Sequence, residues 1–376
     1  MAKRITPGQI RRTNRQQVFQ YIYDEKKVSQ QDIAYALQLS RPTVAAALTE
    51  MEEMGMILKS GYLDSDQIGR KAAAYSIDET FRVAVGVEIM RSRVKFVAAD
   101  LYGRMLGREI WDFPYANEQV YFSQVSEKIL AFIHKLSLPD EKILGIGIAI
   151  QGLVNADGSE VVYGTILDCT GLKIEVFTRH LPFPCTFVHD PDAAAISEIW
   201  CSPELKNAYY LSMSRHLGGS IIYNRRIVIG RDGRSTLFEH IVVRPEGKPC
   251  YCGKRGCLET ICSMSALLGD EDPDVFFAAL RTGGSAEKTR WTAYLMDVAL
   301  MAESLYLLYD MDVILGGHLA AYLREEDLDF LRQAIRERCP FPVTGDFLLL
   351  SKMPSHNITM GAALYFLQKY LREVGT

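Results

Sequence analysis

The sequence predicts a winged helix-turn-helix, all-α plus a small wing, followed by a duplicated α/β domain of two lobes. Three observations predict it. Apolar residues recur at helical spacing in three bursts before residue 58, and two strand-like runs around a Gly-Arg-Lys loop follow them. Past Asp78 strands alternate with helices, and the same order of elements recurs after residue 206. Finally, the run CYCGKRGCLE from Cys250 to Glu259 begins ten residues after His240.

The first module is read from Asn14 to Ile57. Its bursts are Val18, Phe19 and Ile22, then Ile33, Ala34 and Leu37, then Val44, Leu48, Met51 and Met54. Ser29 is placed to cap the second helix and Ser40 the third, where Pro42 is harmless in the first turn and Gly55 supplies the stop. A turn this short before a helix with small residues Thr43, Ala45, Ala46 and Ala47 suits a recognition helix in a major groove. Strands over 57–62 and 73–77 flank the wing loop with Gly69, Arg70 and Lys71.

These positions give a candidate DNA-binding set. Arg41 and Thr43 are placed for base edges, with Ala46 and Ala47 on the close-fitting face. Arg12, Asn14 and Arg15 are placed for phosphates, within a basic arm over residues 1–20 that also holds Lys3, Arg4 and Arg11 and no acid. Arg70 and Lys71 are placed for a minor groove. A three-helix module used for protein contacts is the alternative, and it leaves arm, helix face and wing as three coincidences.

Beyond residue 80, strands are expected over 82–89, 93–99 and 104–111, with Gly103 in the second turn, then a helix over 118–136. An apolar strand over 143–150 and another over 185–188 lead into Asp190 and a helix through Trp200. A second strand group over 207–214, 219–223 and 226–229 precedes a helix over 290–309 and a strand over 313–315 that ends in Gly316-Gly317. The expected domains are 1–80, a first lobe 81–195 completed by a C-terminal helix 360–372, and a second lobe 196–359.

The 376 residues and 48% hydrophobic content allow a large core in two or three domains. A net charge of -4 gives no general attraction to nucleic acid, so DNA binding must come from a local patch. No stretch approaches the roughly 18 apolar residues of a membrane span, and the N-terminus lacks an apolar signal core. The expectation is a cytoplasmic protein without membrane insertion.

His240, Cys250, Cys252 and Cys257 make a standard closed zinc set of one imidazole and three thiolates. Gly253 and Gly256 permit the tight turn that aims three sulfurs at one centre. Three cysteines in eight residues could instead be disulfide partners or core thiols. Eight scattered cysteines without a signal peptide point to a reducing compartment, where disulfides rarely persist. Cys169, Cys185, Cys201, Cys262 and Cys339 lack ligand spacing.

With these residues in hand, nearly the whole chain resembles the ROK family of repressors, open reading frames and kinases, and more closely its repressor branch. The marks are the CxCGxxGCxE run with His240 upstream, the winged module ahead of two lobes, and the LGG of Leu315 to Gly317. The resemblance implies an actin-like ATPase (ribonuclease H-like) fold and a structural zinc on His240, Cys250, Cys252 and Cys257. It also implies a sugar between the lobes, held in family kinases by an Asn-Asp pair, an EIGH segment and the Glu that closes the cysteine run.

Carried over residue by residue, the effector set is Gly152, His189, Asp190, His240 and Glu259. Asp190 is the relic of the kinase base, although the residue could simply cap the following helix, and Gly152 could be a turn glycine. His189 replaces the Asn, and Leu237 stands where the sugar-binding Glu is expected. A Leu cannot accept hydrogen bonds from hydroxyls. The DIGGTK-like phosphate loop reads EIMRSR from Glu88 to Arg93, and the GTGxGGG loop reads SRHLGGS from Ser214 to Ser220. Losing these glycines should remove phosphoryl transfer.

The expected function is therefore a zinc-containing, sugar-responsive repressor without catalytic residues. It would bind operator double-stranded DNA as a homodimer or dimer of dimers. Two alternatives stand beside it: a repressor with a degenerate sugar site controlled by a protein partner, and an ATP-dependent sugar kinase.

Overall fold

A computed structural model describes residues 6–62, 72–231, 236–353 and 356–375. Arg70 and Lys71 lie outside the described residues. The first module consists of α1 (Pro7–Glu25), β1 (Val28–Ser29), α2 (Gln30–Ala36), α3 (Arg41–Glu53), β2 (Ile57–Tyr62) and β3 (Ala73–Ile77). The basic arm expected ahead of Asn14 is a helix from Pro7 onward. Thr6 starts it through a capping box, its Oγ1 accepting from the Gln9 amide at 3.3 Å while Gln9 Oε1 accepts from the Thr6 amide at 2.8 Å. Ser29 and Ser40 cap α2 and α3 as read from the sequence, and Gly55 follows α3 at φ 70°.

One expectation for α3 is corrected. Ala47 is buried with Val44, Leu48 and Met51, because one turn of helix carries it from Val44 onto the face that packs on α1. It cannot touch a base. A run of three alanines gives no hydrophobic contrast by which the sequence could separate Ala46, which is exposed, from Ala47.

Lobe 1 comprises β4 (Val83–Ile89), β5 (Val94–Ala99), β6 (Met105–Trp111), α4 (Gln119–Lys135), β7 (Ile143–Ile150), β8 (Leu153–Val154), β9 (Val161–Tyr163), α5 (Glu175–Thr178), β10 (Cys185–His189) and α6 (Asp190–Cys201). Lobe 2 comprises β11 (Ala208–Met213), β12 (Leu217–Tyr223), β13 (Arg226–Ile227), α7 (Glu259–Cys262), α8 (Met264–Leu268), α9 (Pro273–Arg281), α10 (Ser285–Tyr309), β14 (Asp312–Gly316), α11 (Glu325–Arg338) and β15 (Leu348–Leu350). The chain closes with α12 (Asn357–Gly375).

The duplication is visible in the sheets. Lobe 1 is ordered β10-β7-β4-β5-β6 and lobe 2 β13-β12-β11-β14-β15. In each, three antiparallel strands come first, and two later strands add in parallel to the edge of the first. Both sheets therefore follow one strand order counted along the chain.

The C-terminal helix completes lobe 1, packing on β4, β5 and β7 and along α6. Its approach needs bare backbone. A methyl on Gly86 would overlap the Thr359 carbonyl, one on Gly147 the Ala362 carbonyl, and one on Gly361 the Ala193 carbonyl. The expected boundary at residue 195 falls inside α6, which contacts α12 on one side and β11 and β12 on the other. Helix α6 is thus shared between the lobes.

The first module is fastened to lobe 1 rather than strung on a linker. Its core residues Val18, Phe19 and Ile22 belong to one apolar cluster with Met360, Ala363 and Leu364 of α12. Tyr23 stacks on Tyr102 with ring centroids 4.7 Å apart and donates its hydroxyl to the Leu101 carbonyl at 2.9 Å. Lys26 lies over the Tyr102 ring at 3.6 Å from its centroid.

Candidate functional site

The cysteine run folds as a knuckle against a short helical turn over Phe238–His240. The Cys250 amide donates to the Lys254 carbonyl at 2.8 Å, and Gly253 and Gly256 take φ of 88° and 72°, a region that glycine enters without strain. The ligand atoms of His240, Cys250, Cys252 and Cys257 all lie within 4.8 Å of one another. Cys252 Sγ is 3.7 Å from Cys257 Sγ, and Cys250 Sγ is 3.5 Å from His240 Nδ1. Tetrahedral ligands at zinc–sulfur and zinc–nitrogen bond lengths would stand about 3.8 Å and about 3.5 Å apart, so the four residues fit a zinc ion. Burial lowers the His240 pKa, which keeps the ring neutral for ligation.

The His240 ring also lines a cavity of about 70 Å³ between the lobes. Gln151 and Gly152 enter it from the end of β7, His189 and Asp190 from the junction of β10 and α6, and Glu239 and Tyr251 from the metal knuckle. A parallel strand followed by a helix places His189 and Asp190 at the strand's carboxyl end, the usual position for ligand-binding groups in α/β sheets.

The cavity is acidic and carries little free charge. Burial, reinforced by Glu88, pushes the Asp190 carboxyl up to about 8. Asp192, on the other side of His189 and outside this cavity, is also pushed up by burial to about 7, against the hydrogen bond that its carboxylate accepts from Ser220 Oγ at 2.6 Å. His189 stands between them, 3.8 Å from Asp190 and 3.9 Å from Asp192, and burial brings it down to about 4. Glu239 is 6% exposed, and its Oε2 has no hydrogen-bond partner among the described residues.

Four of the five expected effector residues meet here: Gly152, His189, Asp190 and His240. Glu259 does not line the cavity. Its carboxylate accepts from His216 Nδ1 at 2.9 Å and from the Leu217 amide at 2.7 Å, so it holds His216, which faces the cavity in its place. His216 and Glu239 were missed by the sequence reading. The signal for Glu239 is its place next to His240 of the histidine–cysteine cluster, two residues along from Leu237, which also lines the cavity.

Neither phosphate loop has its usual form. Glu88 is 5% exposed at the end of β4, accepting from Thr359 Oγ1 at 2.6 Å and pairing with Lys95 at 3.3 Å. A tight turn closes β4 on β5, the Met90 amide donating to the Arg93 carbonyl at 3.0 Å. Gly218 and Gly219 lie within β12, where a methyl would press on Pro191 and Phe238 respectively. These two glycines serve packing.

On the first module, Arg41 and Ala46 are exposed on α3 and Thr43 is half-buried, its hydroxyl 2.7 Å from Ser40 Oγ. Arg12 and Arg15 line a separate cleft against lobe 1 with Phe81, Arg82 and Tyr370. Arg15 pairs with Glu50, nine residues along α3 from Arg41 and so about 13 Å away along its axis. Asn14 is half-buried on α1. The sequence set therefore divides into an exposed helix end and a junction with the lobes.

A winged helix-turn-helix module joined to two duplicated α/β lobes, with a histidine–cysteine cluster beside the interlobe cavity, defines a two-part class of protein. The ROK family model matches residues 84–368, and a winged helix-turn-helix DNA-binding model matches residues 11–57. The chain belongs to the ROK family. It is 27% identical over 262 residues to the DNA-binding transcriptional dual regulator NagC of Escherichia coli, covering 69% of this chain and 64% of that regulator. It is 22% identical over 361 residues to the xylose repressor of Caldicellulosiruptor bescii, covering 88% of each. A solved ROK family transcriptional regulator, a homologue of the E. coli Mlc protein, superposes with a TM-score of 0.77 at 19% identity over 97% of this chain and 98% of the other. A ROK glucokinase from Streptomyces griseus, solved with glucose and AMPPNP, gives 0.61 at 22% identity over 75% of this chain and 98% of the other, so both share the fold.

Proposed function

We propose that this chain is a sugar-responsive DNA-binding repressor of carbohydrate metabolism that has no kinase activity. The observation that carries the reading is the pairing of an exposed recognition-helix end with a cavity stripped of its phosphate loops. Helix α3 presents Arg41 to solvent, whereas the position of the first phosphate loop holds Glu88, Lys95 and Thr359 in mutual contact. Phosphoryl transfer rests on backbone amides and charges aimed at phosphate, and neither loop offers them.

In this reading Asp190 is a ligand contact rather than a base. The unpartnered Glu239 Oε2, with Asp190 and His216 nearby, offers acceptors for sugar hydroxyls in the space that Leu237 leaves without one. The four metal ligands would hold a structural zinc, which fixes the His240 ring at the cavity wall. Two copies of the chain on operator half-sites supply the needed specificity, and a sugar acts by favouring one spacing of the two heads over the other. Operator binding places the protein in the cytoplasm.

The test is a DNA shift with upstream fragments, calorimetry across a sugar panel and an ATP-consumption assay on the same preparation. A specific shift relieved by one sugar, without ATP turnover, supports the reading. Sugar-dependent ATP turnover overturns it. A second reading, control by a partner protein, is favoured by the small cavity and by Leu237 in its wall. A specific shift that no sugar binds or relieves selects it.

A further inference from the structure

A second and larger cavity, of about 440 Å³, opens on the far side of His189. It lies where the C-terminal half of α12 passes α6 and the β12–β13 hairpin. Val154, Phe187, Ile196 and Ile227 give it an apolar floor, the first three of them buried. Arg226, Lys369 and Arg372 stand around it. Arg226 and Lys369 are exposed and form no ion pair among the described residues, while Arg372 donates to Gln368 Oε1 at 3.1 Å. The acids in the wall are Asp192, engaged by Ser220, and Glu373. Burial and the nearby Arg226 charge lower the Arg372 pKa, so like charges converge on this one space.

This combination has a recognisable chemistry. The volume is that of a small-molecule site, and an apolar floor beneath a cationic mouth is the inverse of the acidic interlobe cavity. Guanidinium and ammonium groups held beside apolar surface bind carboxylate, sulfonate or phosphate more strongly than the same groups in open water. Among the described residues, His189 alone lines both cavities. The floor is also next to the end of α12 that meets the DNA-binding module, where Gln16 Nε2 donates to the Glu373 carbonyl at 3.2 Å.

We propose that this cavity is a second ligand site, for a small amphipathic organic anion whose acidic head sits on Arg226 and Lys369 and whose apolar body lies on Val154, Phe187, Ile196 and Ile227. The site is separate from the sugar cavity and stands whether or not that cavity binds a sugar.

The probe is 8-anilinonaphthalene-1-sulfonate, titrated by fluorescence into the full-length protein. We expect one saturable site per chain, displaced by decanoate and not by decanol. N-phenyl-1-naphthylamine, the same ring system without the sulfonate, should bind at least tenfold more weakly. R226Q/K369Q, confined to exposed side chains, should weaken the sulfonate at least tenfold with an unchanged melting temperature. A separate Ala156→Phe variant at the cavity wall should block binding. Absence of saturable binding, equal binding of the neutral probe, displacement by decanol, or an unchanged affinity in either variant would overturn the proposal.

Discussion

Glu239 shows how far a single residue can be read without its neighbours. Its place beside His240 was plain in the sequence, but its unpartnered oxygen appears only when the knuckle is folded against β12. The histidine–cysteine cluster is the opposite case, since Cys250, Cys252 and Cys257 sit within eight residues and their spacing alone singles them out. Cys252→Ser should lower bound zinc from about one equivalent per chain to a small fraction, with a lower melting temperature. Metal analysis of the purified protein reads the first and calorimetry the second; a full equivalent retained by the variant would remove Cys252 from the ligand set. Asp190 gives a pH signature. Its carboxyl titrates near 3.8 when unfolded and at about 8 when folded, so the native state holds the proton more tightly across that window. Stability attributed to this group is present below about pH 4 and is lost as pH rises towards about 8. Asp190→Asn should flatten the fall in urea midpoint between pH 5 and pH 8, leaving the slope due to Asp192 and to Glu239, which burial pushes up to about 8. Equal slopes in the variant and the wild type would show that Asp190 titrates normally.

At the scale of elements, strands and helices were legible because hydrophobic period and capping residues are local. The long helix α10, the apolar strand β7 and the caps at Ser29 and Ser40 all follow from neighbouring residues. Which face of an element is buried was legible only where side chains differ in polarity, and the alanines of α3 do not. Arg41→Ala should relax specificity by about 1–3 kcal/mol at one base position, read by competition among operator variants. Arg15→Ala should leave the salt slope of DNA binding unchanged, because its guanidinium already rests on Glu50; a slope flattened by about one would restore Arg15 as a phosphate contact. Helix α12 makes a further demand. Gly361→Ala should destabilise the chain by about 1–3 kcal/mol in chemical denaturation, since the added methyl meets the Ala193 backbone carbonyl and neither helix can retreat without opening the core.

At the scale of the whole molecule, the two lobes, the shared helix α6 and the docked reading head form one connected body. Helix α12 touches Glu88 beside the cleft through Thr359 and reaches α1 through its last turn. A sugar that closes the cleft should reduce the radius of gyration in small-angle scattering and release operator DNA over the same concentration range. Contraction without release would break the proposed link. The sequence by itself determined the winged module, the repeated order of strands and the histidine–cysteine cluster, because each rests on spacing and patterning local to the chain. The tertiary structure decided what distant segments do to one another: that Glu259 supports His216, that Arg15 is taken by Glu50, that two retained glycines serve packing, and that a second cavity opens beside α12. Burial and charge at these positions are set by groups far away in the chain, and no local pattern encodes that distance.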